Sequence, residues 1–268
     1  MATGLNRLGR MVLAPSLGLG EQRLDRKDPA RIRQAIEYLS KATGDEVMVL
    51  AFSFGAAYAL VALEEEPAIQ SKVLELATVG TYFDLVHLLQ GVTAGRVNAP
   101  GGVTDEWRPD PRAGLAVTEF LAKYLPGEHG AALVTAYKAR DPEGLSEFAR
   151  PVYDLMVNTD PARTRELVDR LPFGIGATLA ELSPASRIDR ITVPVRAMHS
   201  RQDPASPPSE SELLVQSLRP PAEGSLIKVG SFRHVTPAKG VALLKDAGPL
   251  IGYAANVLKP QERWGYHL

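Results

Sequence analysis

Short apolar runs alternate with segments of helical periodicity in the first 85 residues and again after residue 190. We interpret the runs at residues 11–15, 47–52, 73–79, 191–198 and 226–229 as strands. Segments after four of these runs carry apolar residues at three- and four-residue spacing, which predicts helices starting near residues 28, 56, 209 and 241. Strands that alternate with helices predict an α/β fold, a mostly parallel sheet flanked by helices.

Between residues 86 and 190 the strand patterning disappears. Three Asp-Pro pairs, beginning at residues 110, 141 and 160, indicate helix starts, because Asp accepts hydrogen bonds from free backbone amides and Pro suits the first helical turn. Apolar residues suited to helix faces follow each pair. We therefore predict a core made of residues 1–85 and 191–268, interrupted by a helical insertion at residues 86–190.

The composition narrows the classes of partner and cofactor. The chain has 268 residues, and its 30 Lys and Arg against 31 Asp and Glu give a net charge of −1, whereas nucleic-acid binders are more often basic. Cysteine is absent, which excludes disulfides, thiolate nucleophiles and cysteine-ligated metals. No two histidines stand at metal-ligand spacing, so neither a metal nor another cofactor is expected.

The sequence carries no signal for membrane insertion or export. No apolar run approaches the roughly 20 residues of a membrane span. The first residues also lack the continuous apolar stretch of a signal peptide. Together with the absence of cysteine, this predicts a cytoplasmic protein without a membrane span.

The most informative motif lies where the run at residues 47–52 turns into an Ala-rich helix. Ser53 occupies this tight turn, and the small residues Ala51 and Gly55 on either side let the chain bend without steric clash. Such a turn exposes the serine Oγ at a helix N-terminus and directs the backbone N–H of Phe54 towards a developing oxyanion. The same pattern fits a plain strand–turn–helix connection with an unreactive serine, so the motif alone leaves both interpretations open.

A reactive serine needs a base and a group that orients the base. Asp203 and His234 each follow a predicted strand, so both are expected at the sheet edge where Ser53 lies. Asp203 also begins an Asp-Pro pair of the kind that caps helices, but its position after a strand favours the functional interpretation. The remaining histidines are interpreted as surface or structural residues: His87, His129, His199 and His267.

The order of Ser53, Asp203 and His234 resembles that of the α/β-hydrolase superfamily, whose catalytic triad runs Ser, Asp or Glu, His along the chain. The resemblance implies that Ser53 is the nucleophile, His234 the general base and Asp203 the acid that orients it. It also implies Asp84 as the alternative acid, because some members place the acid after the strand that follows the nucleophile elbow, the turn that carries the serine. Residues 86–190 stand where the superfamily has a helical cap or lid.

This resemblance implies a serine hydrolase that cleaves a small ester-like substrate, a carboxylic ester, through an acyl-enzyme. Serine at the elbow disfavours the dehalogenases of the superfamily, which use an aspartate nucleophile. The helical insertion is expected to shape the acyl or alcohol pocket.

The chain departs from the superfamily before the elbow. Only 52 residues precede Ser53, enough for one strand, one helix and the elbow strand, whereas the superfamily has several strands there. The glycines at residues 18 and 20 match the strand just before the elbow strand, so the loop that supplies the second oxyanion N–H has no counterpart. We expect an N-terminally shortened sheet whose exposed edge favours a homo-oligomer, and weak esterase activity. The alternative is a catalytically impaired hydrolase-fold protein that acts as a binding or interaction module.

Overall fold

The computed structural model of the chain describes residues 11–18, 25–98, 104–237 and 240–258. Its strands, in chain order, are β1 (Val47–Phe52), β2 (Val73–Val79), β3 (Arg96–Asn98), β4 (Thr104–Glu106), β5 (Val195–Ser200), β6 (Gly224–Val229), β7 (Phe232–Arg233) and β8 (Thr236–Pro237). Its α-helices are α1 (Asp28–Thr43), α2 (Phe54–Glu65), α3 (Leu85–Ala94), α4 (Ala113–Ala122), α5 (His129–Ala139), α6 (Ala149–Met156), α7 (Thr164–Asp169), α8 (Ile175–Glu181), α9 (Pro208–Ser217) and α10 (Ala247–Leu258). Short 3₁₀ helices span Pro67–Lys72, Pro161–Arg163, Pro184–Ser186, Ile188–Arg190 and Gly240–Asp246.

A four-stranded parallel sheet forms the centre of the protein, in the order β1-β2-β5-β6. Helices connect each strand to the next, as parallel pairing requires. The carboxyl ends of all four strands therefore lie at one edge of the sheet. The predicted fold class, a mostly parallel sheet flanked by helices, is confirmed, and the strands predicted at residues 47–52 and 73–79 have those bounds.

The two faces of the sheet carry separate apolar layers, because successive side chains of a strand point to opposite sides. On one face, Val49 and Leu76 belong to a core that α1 and α2 share. On the other face, Val79 packs in a smaller cluster with Tyr253 of α10. The Tyr253 hydroxyl donates to the carbonyl of Thr78 at 3.2 Å, which fixes α10 against β2.

β1, the strand that leads to Ser53, lies at the edge of the sheet, with β2 as its one strand partner among the described residues. All residues of β1 after Val47 are partly exposed, whereas β2 is almost entirely buried. The strand predicted at residues 11–15 is wrong: this segment has no regular structure, and Met11 is 61% exposed. The run ends at Pro15, and a short apolar run without a neighbouring strand has no hydrogen-bond ladder to join.

The segment between β2 and β5 is mainly helical, with α3 to α8 in its described part. It also contains the antiparallel hairpin β3–β4, which the sequence pattern did not predict because strands of three residues carry no readable alternation. Of the three Asp-Pro pairs, that at Asp110 precedes α4, and the side chain of Asp160 caps a 3₁₀ helix. The pair at Asp141 forms a turn instead, in which the carboxylate accepts a hydrogen bond from the N–H of Glu143.

A buried carboxyl group, Glu64, lies near the end of α2. Its side chain is 0% exposed, and neither of its oxygens has a hydrogen-bond partner. The Nε of Arg187 lies 3.9 Å from Oε2, beyond hydrogen-bond distance. Burial raises the pKa of Glu64 to about 9, although the nearby Arg187 offsets part of this effect.

The raised pKa of Glu64 predicts a pH-dependent stability. Between its ordinary pKa of 4.5 and about 9, the folded protein holds a proton that the unfolded chain has released. The contribution of this proton to the free energy of unfolding is therefore complete below pH 4.5. It is lost as the pH rises towards 9, at up to about 1.4 kcal/mol per pH unit. Substitution Glu64→Gln should flatten this part of the curve in urea unfolding measured from pH 5 to pH 9.

Glu66→Gln is the matched control, since Glu66 is exposed and is not among the charged groups that shift the pKa of Glu64. The charged groups that face Glu64, which are Arg187, Glu65, Asp189 and Arg190, remain unchanged in both variants. Parallel curves for wild type and Glu64→Gln would show that Glu64 is ionised in the folded protein.

Candidate functional site

Ser53 lies in a strained turn between the carboxyl end of β1 and the first residue of α2. Its φ of 52° and ψ of −130° lie outside the conformations that non-glycine residues prefer, at a cost of about 1–3 kcal/mol. Two backbone hydrogen bonds hold the turn. The Ser53 N–H donates to the carbonyl of Val79 at 2.8 Å, and its carbonyl accepts from the N–H of Ala56 at 3.0 Å. The sheet and the helix together therefore fix the position of the serine hydroxyl.

His234 stands in the two-residue turn of the β7–β8 hairpin, just beyond the carboxyl end of β6. Its φ of 56° is positive, as the favoured two-residue hairpin turns require at their first central residue. The stretch before the hairpin is anchored by Asp246, whose carboxylate accepts the N–H groups of Gly230 at 2.7 Å and Ser231 at 2.6 Å. The imidazole thus extends from a short, tethered loop.

Asp203 follows β5 and is 1% exposed. Its Oδ1 accepts hydrogen bonds from the N–H of Ala205 at 2.8 Å and of Ser206 at 3.1 Å. Its Oδ2 faces the Nε2 of His199 at 3.4 Å and the Nδ1 of His234 at 2.8 Å. Burial by itself would raise the pKa of Asp203, but the contacts with His199 and His234 outweigh it and hold this pKa well below its usual range.

The structure brings Ser53, His234 and Asp203 together at the carboxyl edge of the sheet. The Nε2 of His234 lies 2.7 Å from the Oγ of Ser53, and its Nδ1 lies 2.8 Å from the Oδ2 of Asp203. A carboxylate only accepts hydrogen bonds, so Nδ1 carries the proton and Nε2 is left to accept from the serine hydroxyl. This arrangement can withdraw the hydroxyl proton and make Ser53 nucleophilic.

The N–H of Phe54 is the candidate oxyanion donor, and no second donor is identified among the described residues. Phe54 begins α2, so its N–H lies ahead of the hydrogen-bond ladder of the helix. The loop before α1 passes beside this turn, since a Cβ on Gly55 would lie 3.7 Å from Leu17. The N–H of Gly18 in that loop is already bound to Asp28, at 3.0 and 2.9 Å from its two carboxylate oxygens. The rest of the loop lies outside the described residues.

Asp84, the alternative acid, has a different position. Its carboxylate accepts from the N–H of Val86 at 2.7 Å and caps α3, and a guanidinium nitrogen of Arg165 lies 3.7 Å away. The carboxylate beside His234 is that of Asp203. Asp84 therefore serves as a helix cap.

The other histidines contact neighbours away from Ser53. His87 binds the buried carboxylate of Glu210, and His129 packs edge-on against Phe148. His199 is fully buried, with its Nδ1 2.7 Å from the hydroxyl of Ser211. The remaining one, His267, lies outside the described residues.

Gly80 is a site residue that the sequence analysis missed. It follows β2 with a φ of 63°, and its N–H donates to the carbonyl of Met198 at 2.9 Å. A Cβ at this position would lie 3.1 Å from the Nδ1 of His234 and 3.4 Å from the Oδ2 of Asp203. The pair of side chains therefore rests against a backbone that only glycine leaves open. The glycine after the strand at residues 73–79 was the available signal.

Neither a metal centre nor a membrane span is found in the described part of the chain. No group of three or more His, Asp or Glu side chains there could hold a metal ion. None of the described helices is long and apolar enough to cross a bilayer.

Comparison with known proteins yields structural neighbours of low similarity. No family model and no curated protein matches the chain. An esterase from Exiguobacterium antarcticum is 14% identical, with 87% of this chain and 75% of that chain covered and a TM-score of 0.42. A monoacylglycerol lipase from Paleococcus ferrophilus is 13% identical, with 85% and 75% covered and a TM-score of 0.39. An α/β-hydrolase-fold protein from Nakamurella multipartita is 18% identical, with 86% and 75% covered and a TM-score of 0.39.

Of these three neighbours, one is named for its fold and two are named for an activity, esterase or lipase. At such low identities and TM-scores, the function proposed below depends on the side-chain geometry of this chain.

The close packing at Gly80 predicts that Gly80→Ala makes the hydroxyl of Ser53 less reactive. The added methyl group must shift His234 by a few tenths of an ångström, which is close to the roughly 0.5 Å within which catalytic groups have to be held, so the reactivity of Ser53 should fall. The measurement is the rate of Ser53 labelling by a fluorophosphonate probe. Gly44→Ala is the matched control, because Gly44 also has a positive φ, of 75°, but a Cβ there meets nothing within 4 Å. Similar labelling rates for the two variants would mean that the loss comes from backbone strain and not from the contact with His234.

Proposed function

We propose that this chain is a serine hydrolase of the α/β-hydrolase type that cleaves small carboxylic esters through an acyl-enzyme. The observation that carries the proposal is the continuous hydrogen-bonded relay of Ser53, His234 and Asp203, with contacts of 2.7 Å and 2.8 Å. Each of the three follows a different strand of one parallel sheet. A serine in a plain strand–turn–helix connection would not be expected to lie within hydrogen-bond distance of a histidine that a buried aspartate orients.

In the proposed reaction, the Ser53 Oγ attacks the ester carbonyl as its proton passes to Nε2 of His234. The carbonyl π electrons move onto oxygen, and the N–H of Phe54 stabilises the resulting oxyanion. Collapse of this intermediate expels the alcohol, which takes the proton from His234, and leaves an acyl group on Ser53. Water then gives a proton to His234 and attacks the acyl-enzyme, which releases the carboxylic acid and restores the hydroxyl of Ser53.

Asp203 is proposed to hold the imidazole and to stabilise its cationic form. The contacts with His199 and His234 keep its pKa low, so the carboxylate stays charged whenever His234 becomes protonated. Its burial strengthens this interaction, because little water screens it.

We assign residues 86–190 to a cap over the site, and residues 1–85 and 191–268 to the hydrolase core. The cap assignment is supported by the helical character of the segment and by its contact with the loop after β5 that carries Asp203, residues 201–207, which we call the acid loop. The Nε1–H of Trp107, in this segment, donates to the carbonyl of Asp203 at 2.7 Å. A small ester would bind between this segment and the elbow.

The second candidate function is a hydrolase-fold protein that binds a partner instead of turning over substrate. The edge position of β1 favours it, because an edge strand offers backbone groups for pairing with another chain. A homo-oligomer joined through β1 is the expected form, and analytical ultracentrifugation would detect it. A protein that self-associates but does not react with active-site probes would support this candidate.

Labelling and turnover assays decide between the two candidates. A fluorophosphonate probe should label the wild type and should not label Ser53→Ala. On short-chain p-nitrophenyl esters, Ser53→Ala should lose about 10⁴-fold or more in kcat. Ser71→Ala is the matched control, because Ser71 is an exposed serine whose hydroxyl contacts only local backbone. Equal labelling of Ser53→Ala and wild type would reject Ser53 as the nucleophile.

Wild-type turnover is expected to be low. One assigned oxyanion donor in place of two predicts a rate about 10²–10³ lower than that of a hydrolase with both. The measurement is kcat for p-nitrophenyl acetate and butyrate. High turnover would show that a further N–H donor completes the site.

A further inference from the structure

One short segment of the insertion contacts both loops that carry the proposed acid and base. It comprises residues 107–110, between β4 and α4, and we call it the clamp segment. The indole Nε1–H of Trp107 donates to the carbonyl of Asp203 at 2.7 Å. The N–H of Asp110 donates to the carbonyl of Pro204 at 2.8 Å. Two consecutive carbonyls of the acid loop are therefore bound by the insertion.

The clamp segment also lies near the β7–β8 hairpin, which carries His234. A guanidinium nitrogen of Arg233, the residue before His234, lies 3.7 Å from a carboxylate oxygen of Asp110. The Arg233 side chain is 76% exposed and that of Asp110 is 43% exposed, so this ion pair contributes little energy. The strong contact of the segment is with the acid loop.

Trp107 is itself held firmly. Its backbone N–H donates to the carbonyl of Gly95 at 3.0 Å, at the end of α3. Its ring is 7% exposed and packs so closely on Gly91 that a Cβ there would lie 2.8 Å from the indole. The indole N–H therefore donates from a fixed position, and it is a buried donor with a buried acceptor.

The Asp203 carboxylate holds the chain after it by accepting the N–H groups of Ala205 and Ser206. The indole of Trp107 holds the Asp203 peptide by donating to its carbonyl. With the side chain and the peptide of Asp203 both held, Oδ2 is directed towards His234. Positions of catalytic groups matter at the scale of about 0.5 Å, so a lost anchor should be visible in the reaction.

We propose that Trp107 is a positioning residue, whose indole N–H holds the Asp203 peptide and thereby aims the carboxylate at His234. The inference rests on the proposed function and deepens it, since it makes part of the insertion necessary for the geometry of the triad. The competing interpretation is that Trp107 only fills space against Gly91.

The substitution that separates the two interpretations is Trp107→Phe, which keeps an aromatic ring but removes the N–H. The matched control is Tyr253→Phe, which also deletes one donor to strand carbonyls, those of Thr78 and Arg196, away from Asp203. Thermal unfolding of both variants measures what the lost hydrogen bond and packing cost in stability.

Steady-state kinetics on p-nitrophenyl butyrate give the first readout. Trp107→Phe should lose about tenfold in kcat with KM unchanged, because a misaimed Asp203 carboxylate stabilises the cationic imidazole less, by about the worth of one hydrogen bond. Tyr253→Phe should stay close to wild type. If Trp107→Phe keeps wild-type kcat while Ser53→Ala is inactive, the positioning role is overturned and the proposed function stands.

The ¹H NMR signal of the His234 Nδ1 proton gives a second readout that needs no turnover. This proton lies in the hydrogen bond to Asp203, and His234→Gln assigns it by its loss. The signal should shift or broaden in Trp107→Phe and remain in place in Tyr253→Phe. If wild type and Ser53→Ala are equally inactive, the proposed function fails. The NMR signal alone then tests the positioning role of Trp107, and an unchanged signal in Trp107→Phe overturns that role.

Discussion

The site depends on one buried charge, the carboxylate of Asp203. An anion that is 1% exposed is costly unless its oxygens are matched by donors. Here Oδ1 receives two backbone N–H groups and Oδ2 faces two imidazoles. The same contacts hold His234, and His234 in turn holds the hydroxyl of Ser53. The requirement to compensate the anion thus produces the geometry on which the proposed reactivity of Ser53 depends.

Backbone strain accompanies this geometry at both residues of the hydrogen bond between Ser53 and His234. Ser53 and His234 each have a positive φ, and each is held by neighbouring hydrogen bonds rather than by its own preference. Both residues stand beyond edge strands, since Ser53 follows β1 and the His234 hairpin follows β6, and each of these strands is paired on one side only among the described residues. In a sheet with β1 inside, a second hydrogen-bond ladder would stabilise the turn at Ser53. Here the backbone hydrogen bonds of Ser53 reach β2 and α2, so these two elements carry its strain.

Much of the fold and the three triad positions followed from the sequence, because apolar runs of six or seven residues and the Ser53 turn are local signals. Chain order then placed Asp203 and His234, since parallel strands share one carboxyl edge. What escaped prediction depends on the tertiary structure. The close approach at Gly80 and the indole contact of Trp107 join residues more than 90 positions apart. Residues 11–15 show the converse: an apolar run predicts a strand only where a neighbour is there to pair with it.

The insertion is joined to the core at both of its ends, which bears on how it can move. At its start, Trp107 holds the acid loop. At its end, the N–H of Ala185 donates to the carbonyl of Phe83, and the carbonyl of Leu182 accepts from the hydroxyl of Tyr82. Opening of the whole insertion would break these bonds and release the acid loop and the loop after β2. Any opening that admits a substrate of the proposed reaction is therefore expected in α4 to α8, between these anchors, which leaves Ser53, His234 and Asp203 in contact.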